Sequence, residues 1–594
     1  MTSLQQIDTR SPAGPVLGGA PAAARAKPAR ATLTPLNIAL LLLLFNLVAV
    51  PLALLLVASF SPTGLPLDPG WGLVHFADVY GDPGFYRLVG NTVVFAIGCT
   101  LGALSVGGLL AWLVERTDLP FKGTARVAIA LPMVLPPFLL AMGWALLASP
   151  RNGSLNELFK ITLGLDQGPL NIYSLGGMVF VETLALVPSV YLILSSAFRN
   201  MDPALEEAAM TSGARWPQMI RRIFLPMLSP ALLAAAAYLL IVGFLVFDVP
   251  GTLGLPVGIF VVSSRIVYLA TDQSGGTAAY GQIAAIGVTF LVLLLGLAWS
   301  YRRLTAQASR FVTITGKGFR PRELRLGALK PLALGLVVLY FLLAVVAPLG
   351  LLVWTSLTPY LAPVSWDMLP KLTLDHHVAL LDDRRMGAAS WTSIWVSGLS
   401  ATIVTTLSLL IAWAVLRGKG RGRNLIDSLS FMPLAIPGTM IGMALIYVYL
   451  TLSFIPVYGT AWIMVIAYVT VYLSFTSRTA NATLIQLHPE LEEAARTCGG
   501  TPAYTIRRIV LPLMLPALAG AWIWVVAHVM RELSTALLLQ GDDNATVAVR
   551  LFSYWSGGQP NKAAAVGVWL VVAMTLVTIA WQWLSARRPT APAN

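Results

Sequence analysis

Along this chain apolar residues collect in stretches of about 20, the length an α-helix needs to cross a hydrocarbon core. The stretches begin near Leu36, Asn91, Ala125, Ile172, Pro230, Gln282, Pro331, Trp391, Leu429, Thr460, Pro516 and Ala563, with short polar segments between them. The pattern predicts an all-α polytopic membrane protein with about twelve transmembrane helices. With 57% of 594 residues hydrophobic, 11% charged and a mean hydropathy of +0.76, the composition excludes a soluble domain.

The polar segments repeat. EEAAMTSGARWPQMIRRIFLP from Glu206 and EEAARTCGGTPAYTIRRIVLP from Glu492 are identical at 12 of 21 positions at a constant offset of 286, where unrelated segments would share about one or two. Earlier in each half, AWLVER from Ala111 answers AWAVLR from Ala412, and Pro132 and Pro136 answer Pro433 and Pro437, at an offset of 301. The loop SPRNGSLNELFKITLGLDQGPLN, shrunk in the second half to a few residues around LSFIPVYG, accounts for the change of 15. Six spans per copy give both halves the same orientation, so the chain reads as two parallel six-helix repeats related by an axis along the membrane normal. The division expected is a tail over 1–34, a first half over 35–301 with its repeated loop at 202–226, and a linker over 302–330. A second half over 331–585 with its loop at 488–512 and a tail over 586–594 complete it.

Charge fixes the expected orientation. The net charge is +13, and cations gather between spans six and seven (Arg302, Arg303, Arg310, Lys317, Arg320, Arg322, Arg325, Lys330) and after span eight (Arg417, Lys419, Arg421, Arg423). These segments fall on one side, which by the positive-inside rule is the cytoplasm, together with both termini and both repeated loops. The basic excess is thereby explained as topology, with membrane lipid and not nucleic acid as its counterpart. Cys99 and Cys498 are too few and too far apart for a disulfide or metal site and are read as structural.

Within the first repeated segment Asp202 suits an N-cap, Pro203 the first helical position and Gly213 a left-handed stop. The copy runs from Pro489 to Gly499. A second short helix is expected after each glycine, carrying Ile220, Ile223 and Leu225 or Ile506, Ile509 and Leu511 on one face, and Pro226 and Pro512 are expected to end it before the next span. Interfacial anchoring would ask only for an amphipathic moment and cationic flanks. An acidic pair, a glycine and a Leu-Pro held at fixed spacing in two copies are what docking into a shaped partner demands.

The spacing Glu207-Ala208-Ala209, Gly213, Ile223, Leu225-Pro226, with its copy Glu493-Ala494-Ala495, Gly499, Ile509, Leu511-Pro512, resembles the EAA loop of permease subunits in binding-protein-dependent ABC importers of the bacterial cytoplasmic membrane. The resemblance covers most of both halves. It implies that each loop docks on an ATPase, so that two ABC ATPase subunits carrying ATP and magnesium would sit below. One periplasmic or extracellular binding protein would sit above, and the permease chain itself would hold no cofactor. The fused twelve-span layout and MRELSTALLL from Met530 resemble the ferric iron type, with Ser534 standing where proline is frequent. That departure keeps thiamine, polyamine, sulfate and phosphonate open as substrates.

Absences narrow the alternatives. No GxxxxGK[ST] phosphate loop occurs, the closest run being TGKG at Lys317, so the chain is not read as an ATPase or as any enzyme, and no catalytic residue is assigned. No His, Cys or carboxylate pair has metal-ligand spacing within the spans. His75, His376 and His377 are read as solvated loop residues. A gradient-driven secondary transporter shares the layout of two parallel halves, but the loop ERTDLPFKGTAR lacks the Gly-x-x-x-Asp-Arg pattern of the major facilitators. Two carboxylates inside spans, Asp248 in FLVFDVPG and Glu532 in MRELST, occupy comparable positions after the two loops. Ionisable groups there are costly and face protein or water. One reading makes the pair an outer gate favouring a cation. The other has Arg531 or His528 neutralise Glu532 for the sake of the fold.

Overall fold

The computed structural model describes residues 33–199, 201, 211–213, 216–271, 279–308, 323–418, 421–452, 454–541 and 543–586. Of the sequence assignments, Asp202, Pro203, Glu207, Ala208 and Ala209, the tail before residue 33, the middle of the linker and the last eight residues lie outside them.

Apolar sequence becomes helix wherever it can. The first half contains α1 (Pro35–Phe60), α2 (Pro83–Arg116), α3 (Lys122–Val134), α4 (Pro137–Ala148), α5 (Leu175–Arg199), α6 (Arg221–Leu245), α7 (Pro250–Val257), α8 (Val262–Thr271) and α9 (Tyr280–Ala308). The second contains α10 (Gly327–Leu357), α11 (Arg384–Leu416), α12 (Arg423–Leu434), α13 (Gly438–Thr451), α14 (Ala461–Gln486), α15 (Glu490–Thr497), α16 (Ala503–Met530), α17 (Ser534–Leu539), α18 (Val547–Ser556) and α19 (Pro560–Ala586). Among the described residues ten helices are long and apolar enough to cross a membrane unaided. The pairs α3–α4 and α12–α13, bent by 96° and 112°, take the third position in each half and complete the twelve expected spans. The pair α7–α8, bent by 67°, dips and returns between α6 and α9. Its counterpart in the second half is the shorter pair α17 and α18.

Prolines cause the breaks. Pro136 and Pro137 in one half, and Pro437 in the other, lack the N–H that would continue the helical ladder, and their rings clash with the preceding turn. Pro226 and Pro512, by contrast, do not end their helices as the sequence suggested. Wide turns at Ile220–Phe224 and Ile506–Val510 close five residues back, and the chain runs on without interruption into α6 and α16. The expanded turn absorbs the missing donor, so each coupling segment is continuous with a span.

Small residues set the closest packing. A Cβ on Gly98, Gly102 or Gly107 of α2 would come within 3.0, 2.6 or 2.8 Å of Val179, Thr183 or Val190 of α5, so these glycines let the two backbones approach. The equivalent pair in the second half, α11 and α14, instead joins hydroxyls, Ser408 Oγ donating to Thr476 Oγ1 at 2.7 Å. The re-entrant helices are seated alike: the Val262 amide donates to Thr92 Oγ1 at 3.1 Å and the Val547 amide to Ser393 Oγ at 2.9 Å. Each half lends its first span to the other. A Cβ on Gly143 of α4 would meet Pro348 of α10 at 2.5 Å, and Gly287 of α9 faces both Leu55 of α1 and Met440 of α13.

The linker's end is clasped to the first half. Leu324 forms a parallel bridge with Thr117, and Lys122 pairs with Glu323 at 2.7 Å. Asp118 accepts from the Leu326 amide and from Lys330 Nζ, both at 2.8 Å. The bond from Leu326, then the bond and charge of Lys330, hold the Asp118 carboxyl below its ordinary range. A depressed carboxyl contributes stability that is complete above its unfolded value and is lost as pH falls through the folded one. Protection of the Leu326 amide, referred to its intrinsic exchange rate, is therefore expected to stay level from about pH 5 to 8. In Asp118→Asn it is expected to drop several-fold, and equal protection in the variant would remove the clasp from the account.

Candidate functional site: the coupling helix and the seam between the halves

Helix α15 is short, strongly two-faced and carries the second acidic pair. Glu492 and Ala495 are buried, whereas Glu493 and Ala494 are exposed. Three acidic residues in its first turn and Arg496 in its last suit the helix dipole. Gly499 closes it at φ +82°, and Gly213 in the other copy has φ +77°, the left-handed conformation that a side chain strains. The amide of Gly500 donates back to the Ala495 carbonyl at 2.8 Å. Ile223, Ile509 and Leu511 are half-buried, while Leu225, Pro226 and Pro512 face outward. The inward anchors of these segments are Phe224, Leu228, Val510 and Met514.

The side chain that fastens α15 went unnoticed in the sequence. Arg417, at the end of α11, donates from Nε to Glu492 Oε1 at 2.7 Å and from Nη2 to the carbonyls of Leu484 and Leu487 at 3.2 and 2.7 Å. One guanidinium thus joins α11, the last turn of α14 and the coupling helix, satisfying carbonyls that a helix end leaves without partners. Its counterpart at the offset of 301 is Arg116, fully buried with its guanidinium 5.8 Å from the Phe224 ring centroid. The signal was available, since AWLVER and AWAVLR both end in arginine. Beside Arg116, the nearly buried Glu115 takes a two-pronged bond from Arg126 at 3.0 and 3.3 Å and lies 3.9 Å from Arg199.

Asp248 and Glu532 lie at the breaks that follow α6 and α16, within electrostatic range of one another across the two halves. Glu532 caps α17: Oε1 accepts from Ser534 Oγ at 2.6 Å and the Thr535 amide at 2.8 Å, Oε2 from the Ala536 amide and Tyr468 Oη, both at 3.1 Å. Neither Arg531 nor His528 neutralises it. Arg531 instead bonds His528 and the first half's broken span, because the chain turns out of α16 at Arg531 and sends consecutive side chains in different directions. At the place of Tyr468 the first half has Glu182, 1% exposed, with Oε2 unpartnered, a buried acid the sequence reading passed over.

Opposite the coupling end, a cavity of 610 Å³ opens between the halves, lined by Ser149, Thr252, Leu255, Thr355, Phe552 and Trp555 among others. The histidines are more engaged than solvated loop residues. His376 Nε2 lies 3.1 Å from the Thr358 carbonyl, His377 meets Ser356 and Trp569, and His75 packs against Gly281. Among the described residues no group of three His, Cys, Asp or Glu is placed to hold a metal ion. Cys99 is buried and Cys498 exposed, both as free thiols.

Two matched bundles of six spans, with a helix-glycine elbow on one end and a cavity on the other, define a transport permease. Residues 103–310 and 383–589 match the family described as the binding-protein-dependent transport system inner membrane component, and the chain belongs to that family. It is 25% identical over 555 residues to the ferric transport system permease protein FbpB of Actinobacillus pleuropneumoniae, covering 92% of this chain and 77% of that protein. It is 24% identical over 505 residues to Fe(3+)-transport system permease protein FbpB 2 of Haemophilus influenzae, with 84% and 90% covered. A putative 2-aminoethylphosphonate transport system permease protein PhnV of Salmonella typhimurium is 26% identical over 247 residues, 41% of this chain and 87% of that one. The crystal structure of a bacterial alginate ABC transporter in complex with a pentasaccharide-bound periplasmic protein aligns over 45% of this chain and 96% of that one, at 19% identity and a TM-score of 0.37. The chain is thus a multi-pass inner-membrane permease of the ABC importer class, with both permease domains fused and of the ferric transport type.

Arg417→Ala would strand Glu492, and breaking a buried pair costs about 3–5 kcal/mol. Trypsin cleavage after Arg496 is expected to accelerate in that variant and to stay at the wild-type rate in Glu493→Ala, whose side chain faces outward. Cleavage that is indifferent to Arg417 would mean α15 is seated by something else.

Proposed function

We propose that this chain is the whole membrane part of an ATP-driven importer, carrying ferric iron or a similar small polar solute. Two ATPase subunits, each with ATP and magnesium, dock on the two repeated loops, and one external binding protein delivers solute at the opposite end. Both termini and both loops face the cytoplasm, in keeping with the cation-rich segments on that side. The doubled coupling motif on one chain is the observation that carries this reading. Gly213 and Gly499 both take the left-handed conformation, and from Trp216 and Pro502 onward the chain runs unbroken into a span. Glu493 and Ala494, and by sequence Glu207 and Ala208, are the outward groups that meet the ATPase, with Gly213 and Gly499 setting the elbow. Ile223, Leu225, Pro226, Ile509, Leu511 and Pro512 carry the push into α6 and α16.

Ferric iron is supported by similarity to permeases described as ferric transport proteins along most of this chain's length. As an outer gate, the carboxyls of Asp248 and Glu532, offset in part by Arg531 beside them, would favour a cation over the anionic solutes of other permeases in the family.

Native mass of the purified complex should show one copy of this chain with two ATPase subunits. Two copies of the permease would contradict the fused reading. Placing a side chain at the elbows by Gly213→Val with Gly499→Val costs about 1 kcal/mol or more at each left-handed position. Co-purification of ATPase and uptake are expected to fall together, with membrane insertion retained. In vesicles, uptake should require ATP, and accumulation driven by an ion gradient alone would favour a secondary transporter. Asp248→Asn combined with Glu532→Gln is expected to reduce iron uptake at normal membrane level, whereas unchanged uptake would return both residues to a purely structural role.

A further inference from the structure

The break between α3 and α4 leaves an unusual shortage of donors. In a continuous helix the Met133 carbonyl would receive the amide of the residue four on, but that residue is Pro137, and the residue three on is Pro136. Neither has an N–H. The Leu135 carbonyl would look to Leu139, whose amide is given to the Pro136 carbonyl at 3.0 Å instead. Within a membrane such carbonyls need a partner from elsewhere. The partner comes from the other half: Arg531 Nη1 donates to Met133 at 2.8 Å and to Leu135 at 3.2 Å.

The second half differs at its own break. Gly438, which has an N–H, stands where the first half has Pro137, and Ser474 Oγ of α14 donates to the carbonyls of Ser430 and Phe431 at 3.0 and 3.2 Å. At the offset of 286 the residue matching Ser474 is Pro188, which has no donor at all. The first half has thus lost an N–H at Pro137 and a hydroxyl at Pro188, and at Met133 and Leu135 an arginine from across the seam supplies the donors.

Arg531 is itself held ready. Its Nη2 donates to His528 Nε2 at 2.9 Å, so His528 carries its proton on Nδ1 and gives it to the Trp524 carbonyl at 2.8 Å. The imidazole stacks on Trp524 at 3.7 Å, and Trp524 on Phe475 at 3.7 Å. A guanidinium braced this way acts as a fixed arm. Asp248 lies within its electrostatic range from the first half, and Glu532 follows it in the chain.

We infer that Arg531 is the latch of the seam: by supplying the two carbonyls orphaned at Pro136 and Pro137, it holds the halves together at the level of the broken span, and the path between coupling end and cavity opens only when it lets go. This rests on reading the seam as the transport path. Arg531 is a positioning residue here, and no contact with solute is assigned to it.

The test needs neither ATPase nor solute, so its failure is distinct from failure of the importer assignment. In a chain with Cys99→Ala and Cys498→Ala, a reporter thiol is placed in the cavity by Leu255→Cys. Sealed membrane vesicles receive a membrane-impermeant maleimide on the coupling-helix side only. Labelling is expected to be slow with Arg531 present and at least about tenfold faster in Arg531→Met, the population shift that loss of one charge-assisted hydrogen bond permits. Pro137→Ala with Arg531 kept returns an N–H to the Met133 carbonyl within the first half and weakens its demand for Arg531, so labelling is expected to quicken there too, whereas added to Arg531→Met it should change little further. A structural defect elsewhere would add to the effect of Arg531→Met instead. Equal labelling with and without Arg531 would overturn the latch, as would a rate that Pro137→Ala leaves unchanged. If Arg531→Met does not accumulate in the membrane, Arg531→Gln, which keeps a neutral donor on a shorter side chain, is compared with wild type; faster labelling is expected, and an unchanged rate would overturn the latch.

Discussion

Backbone carbonyls buried where water is scarce must be given donors, and the architecture of this permease follows from that demand. Most of the chain meets it by being helix. Where prolines forbid helix, as at the break of α3–α4, the donors come from side chains of other elements, and those side chains decide how the elements are joined. Arg531 fastens that break across the seam. In the second half Ser474 fastens the helix leading into the break, at Ser430 and Phe431, from within the same half. The sequence repeat is symmetric, but its hydrogen bonding is not, and Pro137 and Pro188 stand where the second half has Gly438 and Ser474.

The same demand operates at the coupling end. A helix terminus leaves carbonyls without partners, and Arg417 takes up two of them at the end of α14 while pairing with Glu492. Helix α15 is thereby fixed to two spans by one side chain, and the chain leaves it through the left-handed Gly499 before entering α16. Because the wide turn before Pro512 preserves the helix, α16 runs unbroken from that elbow into the membrane. Exchange of the first spans between halves means that motion of either bundle is felt by the other.

The number of spans, their grouping in two sixes and the doubled polar motif could all be read from the chain, because a membrane segment declares itself by length and hydropathy and a repeat by identity. The elbows at Gly213 and Gly499 were legible for a similar reason: a left-handed stop needs glycine and nothing else nearby. The fate of Pro226 and Pro512 was not, because whether a proline stops a helix depends on whether the preceding turn can widen. Arg531 was visible as a neighbour of Glu532, yet its direction depends on where the chain leaves α16.

What the sequence determined by itself is the inventory of spans and the repeated coupling loops, since these rest on local composition and spacing. Tertiary structure alone decided that Glu492 rather than Glu493 is the inward member of the acidic pair, that Glu532 caps α17, and that Arg531 reaches Met133 nearly 400 residues away. Hydrogen bonding is directional and short in range, so its partners are chosen by how helices from distant parts of the chain cross, which the order of residues does not state.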